Sequence, residues 1–183
     1  MASILNVDKI RATGSTTDAL VLQSNGFIVP KAGGIIQVQK SATRFANNDT
    51  TSSSYAEVSS DYRVAFTPVT TNSYLKLQFH FHGVVGDNTR LGVRFYVSSN
   101  SDYSSASAVT SGSFDEAIRT GDFSSGRFFG RYTMTEFYTA HTNTNTLYFT
   151  PYFNRGLGSG EVRIGDNGGP GFVIITEIAE CVP

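Results

Sequence analysis

The sequence predicts an all-β protein: an extended N-terminal arm over residues 1–34, then an antiparallel β-sandwich head of jelly-roll-like form over residues 35–183. Three observations predict it. Residues suited to a pleated, half-buried surface are abundant, with 14 Phe and 9 Tyr among many Val, Ile and Thr. Apolar and polar residues alternate over several stretches, the period of a strand with one buried face. Gly and Ser-Asn clusters interrupt these stretches at short intervals, as turns do in a sandwich. Helical periodicity is nowhere sustained; the best candidate, Phe114 to Arg119, is long enough for only one or two turns.

The arm consists of short apolar pairs between polar turns. Leu5, Val7 and Ile10 fall in the first segment, which Gly14-Ser15 ends. Leu20 and Leu22 fall in the second, which Asn25-Gly26 ends, and Phe27-Ile28-Val29 runs into Pro30. Such fragments bury too little to fold alone, since even a two-stranded hairpin is marginal in water. Leu5, Val7, Ile10, Leu20, Leu22 and Ile28 are therefore the expected attachment and oligomer contacts. Lys31-Ala32-Gly33-Gly34 reads as the joint to the head.

In the head, Ile35 to Gln39 reads as a first strand and Asn47 to Thr50 as a loop. Tyr62, Val64 and Phe66 alternate along a second strand, stopped by Pro68. Leu75, Leu77, Phe79 and Phe81 then share one face, with Lys76, Gln78, His80 and His82 on the other. Leu91, Val93, Phe95 and Val97 repeat the pattern after Gly86-Asp87-Asn88. Ser98 to Gly112 reads as a long Ser-rich connection, and Arg127 to Tyr138 as one or two aromatic-rich strands. Leu147 to Thr150 and Val162 to Ile164 follow, separated by a Gly-rich joint, Gly156 to Gly160. Phe172 to Ile178 is almost continuously apolar, which predicts a central strand buried on both faces.

Composition narrows the function. Lys+Arg total 14 and Asp+Glu 15, a net charge of −1. That balance excludes the basic stripe a nucleic-acid binder needs and the polybasic patch of a peripheral membrane protein. Only 16% of residues are charged, fitting a surface that is covered in an assembly. No run approaches the roughly 20 apolar residues of a membrane span, and Met1 to Asp8 lacks the pattern of a secretory signal. One cysteine, Cys181, excludes an intrachain disulfide framework or a multi-cysteine zinc site and fits synthesis in a reducing cytoplasm.

No catalytic constellation emerges, and no cofactor is expected. His80 and His82 lie on one strand face, and copies around a threefold axis would give octahedral nitrogens; without a nearby His, Cys or acid the expectation is no metal. Asp115-Glu116 lacks the separation of a glycosidase pair, and Asp102, Asp122 and Asp166 read as solvated loop acids. The Gly-rich segments after residue 155 carry no Lys-Ser/Thr and open no helix, so they read as turns, not phosphate cradles. No Gly-x-Ser-x-Gly elbow exists, and His141 has no visible nucleophile beside it in sequence. Phe128, Phe129, Arg131 and Tyr132, with Tyr138, Tyr148, Tyr152 and Phe153, are dense in aromatics and Arg: core and interface residues, or a ring-stacking surface for a ligand.

Several landmarks resemble one family. Leu5-Asn6-Val7-Asp8-Lys9-Ile10, the Gly-Ser turn, Ala19 to Leu22 and Phe27 to Pro30 resemble the opening of virion proteins of marine and cyanobacterial tailed phages. Gly33-Gly34-Ile35-Ile36-Gln37-Val38-Gln39, Phe66-Thr67-Pro68 and the closing Ile175 to Ala179 resemble that family's later landmarks; none falls between Asp102 and Tyr138. The resemblance implies a trimeric particle-surface component located in the virion and assembled in the host cytoplasm. Its expected role is capsid decoration, as a cement protein or short head fibre held by the arm. The alternative is a tail-fibre or tip adhesin that binds a host receptor, such as a surface glycan. Partners would be two further copies and another virion protein, the major capsid protein or a tail protein.

Overall fold

The computed structural model describes residues 9–10, 20–22, 28–30, 34–44, 47–86, 88–109, 116–119, 128–165 and 170–179. Three short strands belong to the arm: β1 (Lys9–Ile10), β2 (Leu20–Leu22) and β3 (Ile28–Pro30). They form a separate three-stranded antiparallel sheet in the order β1-β2-β3. Ile10 lies opposite Leu20, and Leu22 opposite Ile28.

The head contains β4 (Ile35–Lys40), β5 (Asn48–Thr50), β6 (Ala56–Glu57), β7 (Val64–Phe66), β8 (Tyr74–Val85), β9 (Arg90–Ser98), β10 (Ser107–Ala108), β11 (Glu116–Arg119), β12 (Phe128–Tyr138), β13 (Leu147–Leu157), β14 (Val162–Ile164) and β15 (Phe172–Ile178). A 3-10 turn, Ser60–Tyr62, is the one helical element among the described residues. Eight strands build the frame. One sheet runs β4-β15-β8-β12, with β14 and β5 beside the far end of β8; the other runs β7-β13-β9-β11, with β6 and β10 extending its edges. Taken in chain order, the first of the eight pairs with the last, β4 with β15. The next pairs are β7 with β13, β8 with β12 and β9 with β11, all antiparallel. A long hairpin rolled into two facing sheets has this pairing, so the expected sandwich is a jelly roll.

Alternation places the core. Leu75, Leu77, Phe79 and Phe81 of β8 and Leu91, Val93, Phe95 and Val97 of β9 are buried, as the sequence pattern requires. Phe149 and Phe153 of β13 and Val173 and Ile175 of β15 complete the layer between the sheets. Tyr62 closes one side, its ring edge-on to Phe79 at 5.1 Å, while its hydroxyl donates to the Arg44 carbonyl.

Four local expectations are corrected. Glu116–Arg119, the end of the expected helical turn, is a strand; the edge of β9 at Arg90 to Gly92 offers unpaired backbone groups that a lone turn could not satisfy. Phe114 and Asp115 lie outside the described residues. Asn48–Thr50 is not loop but β5, because β14 would otherwise expose one edge. Within the expected Ser-rich connection, Ser107–Ala108 pairs with Tyr96 and Val97. Finally, β15 has partners on both edges, but its outward Phe172, Ile174 and Ile178 are only half-buried. It is central in the sheet and covered on one face. The Gly-rich joint is a tight turn after β13: Gly158 has φ of +91°, and a Cβ there would overlap the Asn88 carbonyl oxygen.

Candidate assembly face

The outward side of the β4-β15-β8-β12 sheet is unusual at one end. Register aligns Val38, Thr176, Lys76 and Phe137 in one row, and Ile35, Ile178 and Tyr74 in the next. Ile35 is 62% exposed, Val38 58%, Phe137 55% and Tyr74 38%. Leu157 is the remaining large hydrophobic exposed to this degree among the described residues, so the exposed apolar surface is concentrated here. Lys76 lies within it, between Thr176 and Phe137, Lys40 lies beside it on β4, and no acidic residue occupies an outward position on the four strands. The β4 end of this face is where the chain arrives from the arm through Gly34.

Directly beneath lies a buried polar knot. Glu177 is completely buried and accepts from five donors: the Val69 and Thr70 amides, the Thr70 and Ser73 hydroxyls, and the Gln37 amide nitrogen. A carboxylate removed from water costs several kcal/mol unless its lone pairs are satisfied, and here they are. Gln37 also donates to the Thr67 carbonyl at 2.8 Å, and Gln39 to the Ala65 carbonyl at 3.0 Å, tying β4 across to the opposite sheet. Gln37, Ser73 and Glu177 immediately precede Val38, Tyr74 and Ile178. Strand alternation thus turns one residue of each pair into the knot and the next onto the apolar face.

His141 joins the same knot. It is buried, with Nε2 3.0 Å from Ser73 Oγ and 3.3 Å from the Thr70 carbonyl. The Ser73 hydroxyl donates to Glu177 at 2.7 Å, and its oxygen is in hydrogen-bond contact with His141 Nε2. Folding therefore brings a hydroxyl to His141 that sequence spacing did not reveal. A Ser73 hydroxyl committed to Glu177 does not offer its proton to His141, as activation of a nucleophile would need.

The other residues singled out by sequence disperse. Leu5 and Val7 lie outside the described residues, and Ile10, Leu20, Leu22 and Ile28 are in the arm sheet. Phe128 and Phe129 are at the start of β12, opposite Val85 and Val84. Arg131 faces outward opposite His82, whereas Tyr132 turns toward Phe81, 5.8 Å away, and burial raises its phenol pKa. Arg131, His80 and Phe172 contribute to a shallow cleft of about 280 Å³. His80 and His82 share the outward face of β8, as their spacing demands. His80 Nδ1 is 2.8 Å from the Thr133 hydroxyl and its ring stacks on Phe172 at 4.5 Å. No group of three or more His, Cys, Asp and Glu that could hold a metal occurs among the described residues. Asp102 is an exposed loop residue and Glu116 is in β11; Asp115, Asp122 and Asp166 lie outside the described residues.

The second sheet has a different outer face, which sequence reading missed as a unit. Tyr96 and Tyr152 stack at 4.1 Å, Tyr55 lies 6.3 Å from Tyr96, and Tyr103 meets Tyr148 edge-on at 5.3 Å. The Arg94 guanidinium sits over Tyr55 at 4.3 Å and that of Arg63 over Tyr103 at 4.6 Å. Arg63 donates to both Glu57 carboxylate oxygens, at 2.6 and 2.9 Å, and Thr150 donates to the same carboxylate. Alternation in β9 and β13 was visible in sequence; the convergence of Tyr55 and Tyr103 from loops was not. Tyr103 has φ of +64° and Ser105 +53°, a left-handed backbone that costs about 1–3 kcal/mol for such residues.

No protein-family model matches this chain, and no curated protein matches its sequence. Among solved structures it is similar to the infectious bursal disease virus Gx strain, at 12% identity and a TM-score of 0.38. It is also similar to the Gt strain of that virus (9%, 0.36) and to its VP2 subviral particle (11%, 0.38). These matches cover 94%, 95% and 95% of the chain but 42%, 43% and 43% of the matched chains, less than half of their length.

Proposed function

We propose that this chain is a non-enzymatic structural protein of a tailed-phage particle, working as a trimer on the particle surface. The observation that carries the reading is the exposed apolar face around Val38 and Phe137, held rigid from below by the Glu177 knot and adjoining the arm. Several exposed apolar side chains gathered at one end of a sheet mark a contact with another protein. The arm residues Ile10, Leu20, Leu22 and Ile28 are the second proposed set of contacts. Each of these side chains contributes about 1.5–3 kcal/mol when fully buried against a neighbour. The sequence landmarks of phage virion proteins point the same way.

Within that class the preferred role is capsid decoration, as a cement protein or short head fibre anchored by the arm to the major capsid protein. About 30 residues of fully extended chain reach roughly 100 Å at most, which suits holding to a nearby surface. The tail-tip adhesin is the second reading, favoured by the tyrosine-rich outer face of the other sheet. Deleting residues 1–30 tests the anchor. The expected product is a folded head, with an unchanged far-ultraviolet spectrum, that no longer joins particles in cosedimentation. Normal incorporation of the truncated protein would refute the arm as anchor.

A further inference from the structure

The two outer faces of the sandwich carry different chemistries, and the second has no role in the assembly just described. Five tyrosines, Tyr55, Tyr96, Tyr103, Tyr148 and Tyr152, gather on it. Outward positions of β13 hold the buried Thr150 and Asn154, and those of β9 hold Gly92, Arg94 and the buried Ser98; the one exposed aliphatic residue on these two strands, Leu157, lies at the far end opposite Arg90. The opposite face, by contrast, presents Ile35, Val38 and Ile178. A protein partner's apolar core matches that aliphatic composition. Rings with polar edges, set among planar hydrogen-bonding groups, match a ligand that has apolar C–H faces and a rim of hydroxyls.

We propose that the tyrosine face of the β7-β13-β9-β11 sheet binds carbohydrate, an oligosaccharide chain lying across the rings of Tyr152, Tyr96 and Tyr103. Ring faces and edges take the sugar C–H surfaces. The Glu57–Arg63 pair, fixed by two parallel hydrogen bonds and by Thr150, supplies an acceptor and a donor in set positions for sugar hydroxyls. The site is held ready. Tyr103 sits in its left-handed conformation because the loop around it is over-determined: Ser98 Oγ donates to the Ser104 carbonyl at 2.6 Å, the Tyr103 amide to the Asn100 carbonyl at 2.9 Å, and the Ser104 amide to Asp102 at 2.9 Å. The Tyr103 ring is fixed in turn by its edge-on contact with Tyr148 and by the Arg63 guanidinium over it.

The test applies the intact, full-length protein to an array of immobilised bacterial cell-surface oligosaccharides, with Tyr103→Gly and Tyr152→Ala alongside. The wild type should be retained by at least one saccharide, and each variant should lose tenfold or more in apparent affinity. Tyr103→Gly removes the ring while suiting the positive φ, so its melting temperature should stay within a few degrees of wild type; it decides the matter if Tyr152→Ala fails to fold. Retention of no saccharide above a denatured control, or wild-type binding by Tyr103→Gly, would overturn the proposal. Because free protein is assayed, neither outcome bears on attachment to particles.

Discussion

At the scale of single residues, Glu177 and His80 make the sharpest predictions. Replacing Glu177 by Gln keeps the shape but puts an NH₂ group where only donors converge. The loss of charge-assisted hydrogen bonds and the clash of donors should cost about 3 kcal/mol or more, read as a lower urea midpoint at unchanged slope. An unchanged midpoint would mean that the knot contributes nothing to stability. For His80, burial first and the nearby Lys40 ammonium second hold the imidazole pKa below its ordinary 6.5. The unfolded chain therefore binds a proton before the folded one does. The stability tied to this residue is fully present above pH 6.5 and falls as pH drops from there toward the depressed folded value. A proton NMR titration of the folded protein should show the His80 midpoint below 6.5. Lys40→Met should move it upward but not fully to 6.5, because burial remains. A midpoint unmoved by Lys40→Met would leave burial as the whole cause.

At the scale of strands, apolar alternation was a reliable guide where one face meets the core and a poor one elsewhere. β8 and β9 were legible because their inward residues are large and unbroken, from Leu75 to Phe81 and from Leu91 to Val97. Short edge pieces such as β5, β10 and β11 were not, because what makes Asn48–Thr50 or Glu116–Arg119 a strand is a neighbour's free backbone edge, which no local pattern encodes. The same limit hid the candidate sites. Phe128 to Tyr132 was visible as an aromatic cluster, yet alternation along β12 splits Arg131 from Tyr132. The apolar face needed long-range register to bring Val38 beside Thr176 and Phe137 beside Lys76. That face predicts its own behaviour. The double variant Val38→Ser, Phe137→Ser should keep the wild-type melting temperature within a few degrees, since both residues are more than half exposed. If the proposed trimer holds through this face, its mass by light scattering should fall from three chains to one. A trimer that survives the change would move the interface elsewhere.

At the scale of the molecule, the two outer faces and the arm divide the labour. One sheet presents aliphatic surface and lysines, the other tyrosines and ion-paired arginine, and the arm is the proposed anchor. In the capsid-decoration reading the first sheet and arm face inward to the particle, leaving the second sheet toward solution. Electron microscopy of intact particles should find hundreds of copies over the shell; a few tens confined to the tail would select the adhesin reading instead. The jelly-roll class was legible in the spacing of strands and turns; which strand joins which was not, because each pairing joins residues far apart along the chain.

That first-to-last pairing has a mechanical consequence. The Ala179 amide donates to the Gly34 carbonyl at 2.9 Å, so the head begins and finishes at one spot. A head tethered through residue 34 feels tension there first, and a pull directed away from the sheet would peel β4 from β15 bond by bond, like a zip. Gln37 and Gln39 act as stitches against that failure, because they fasten the strand to the opposite sheet across its free edge. The strand that carries the load is thus sewn on both sides.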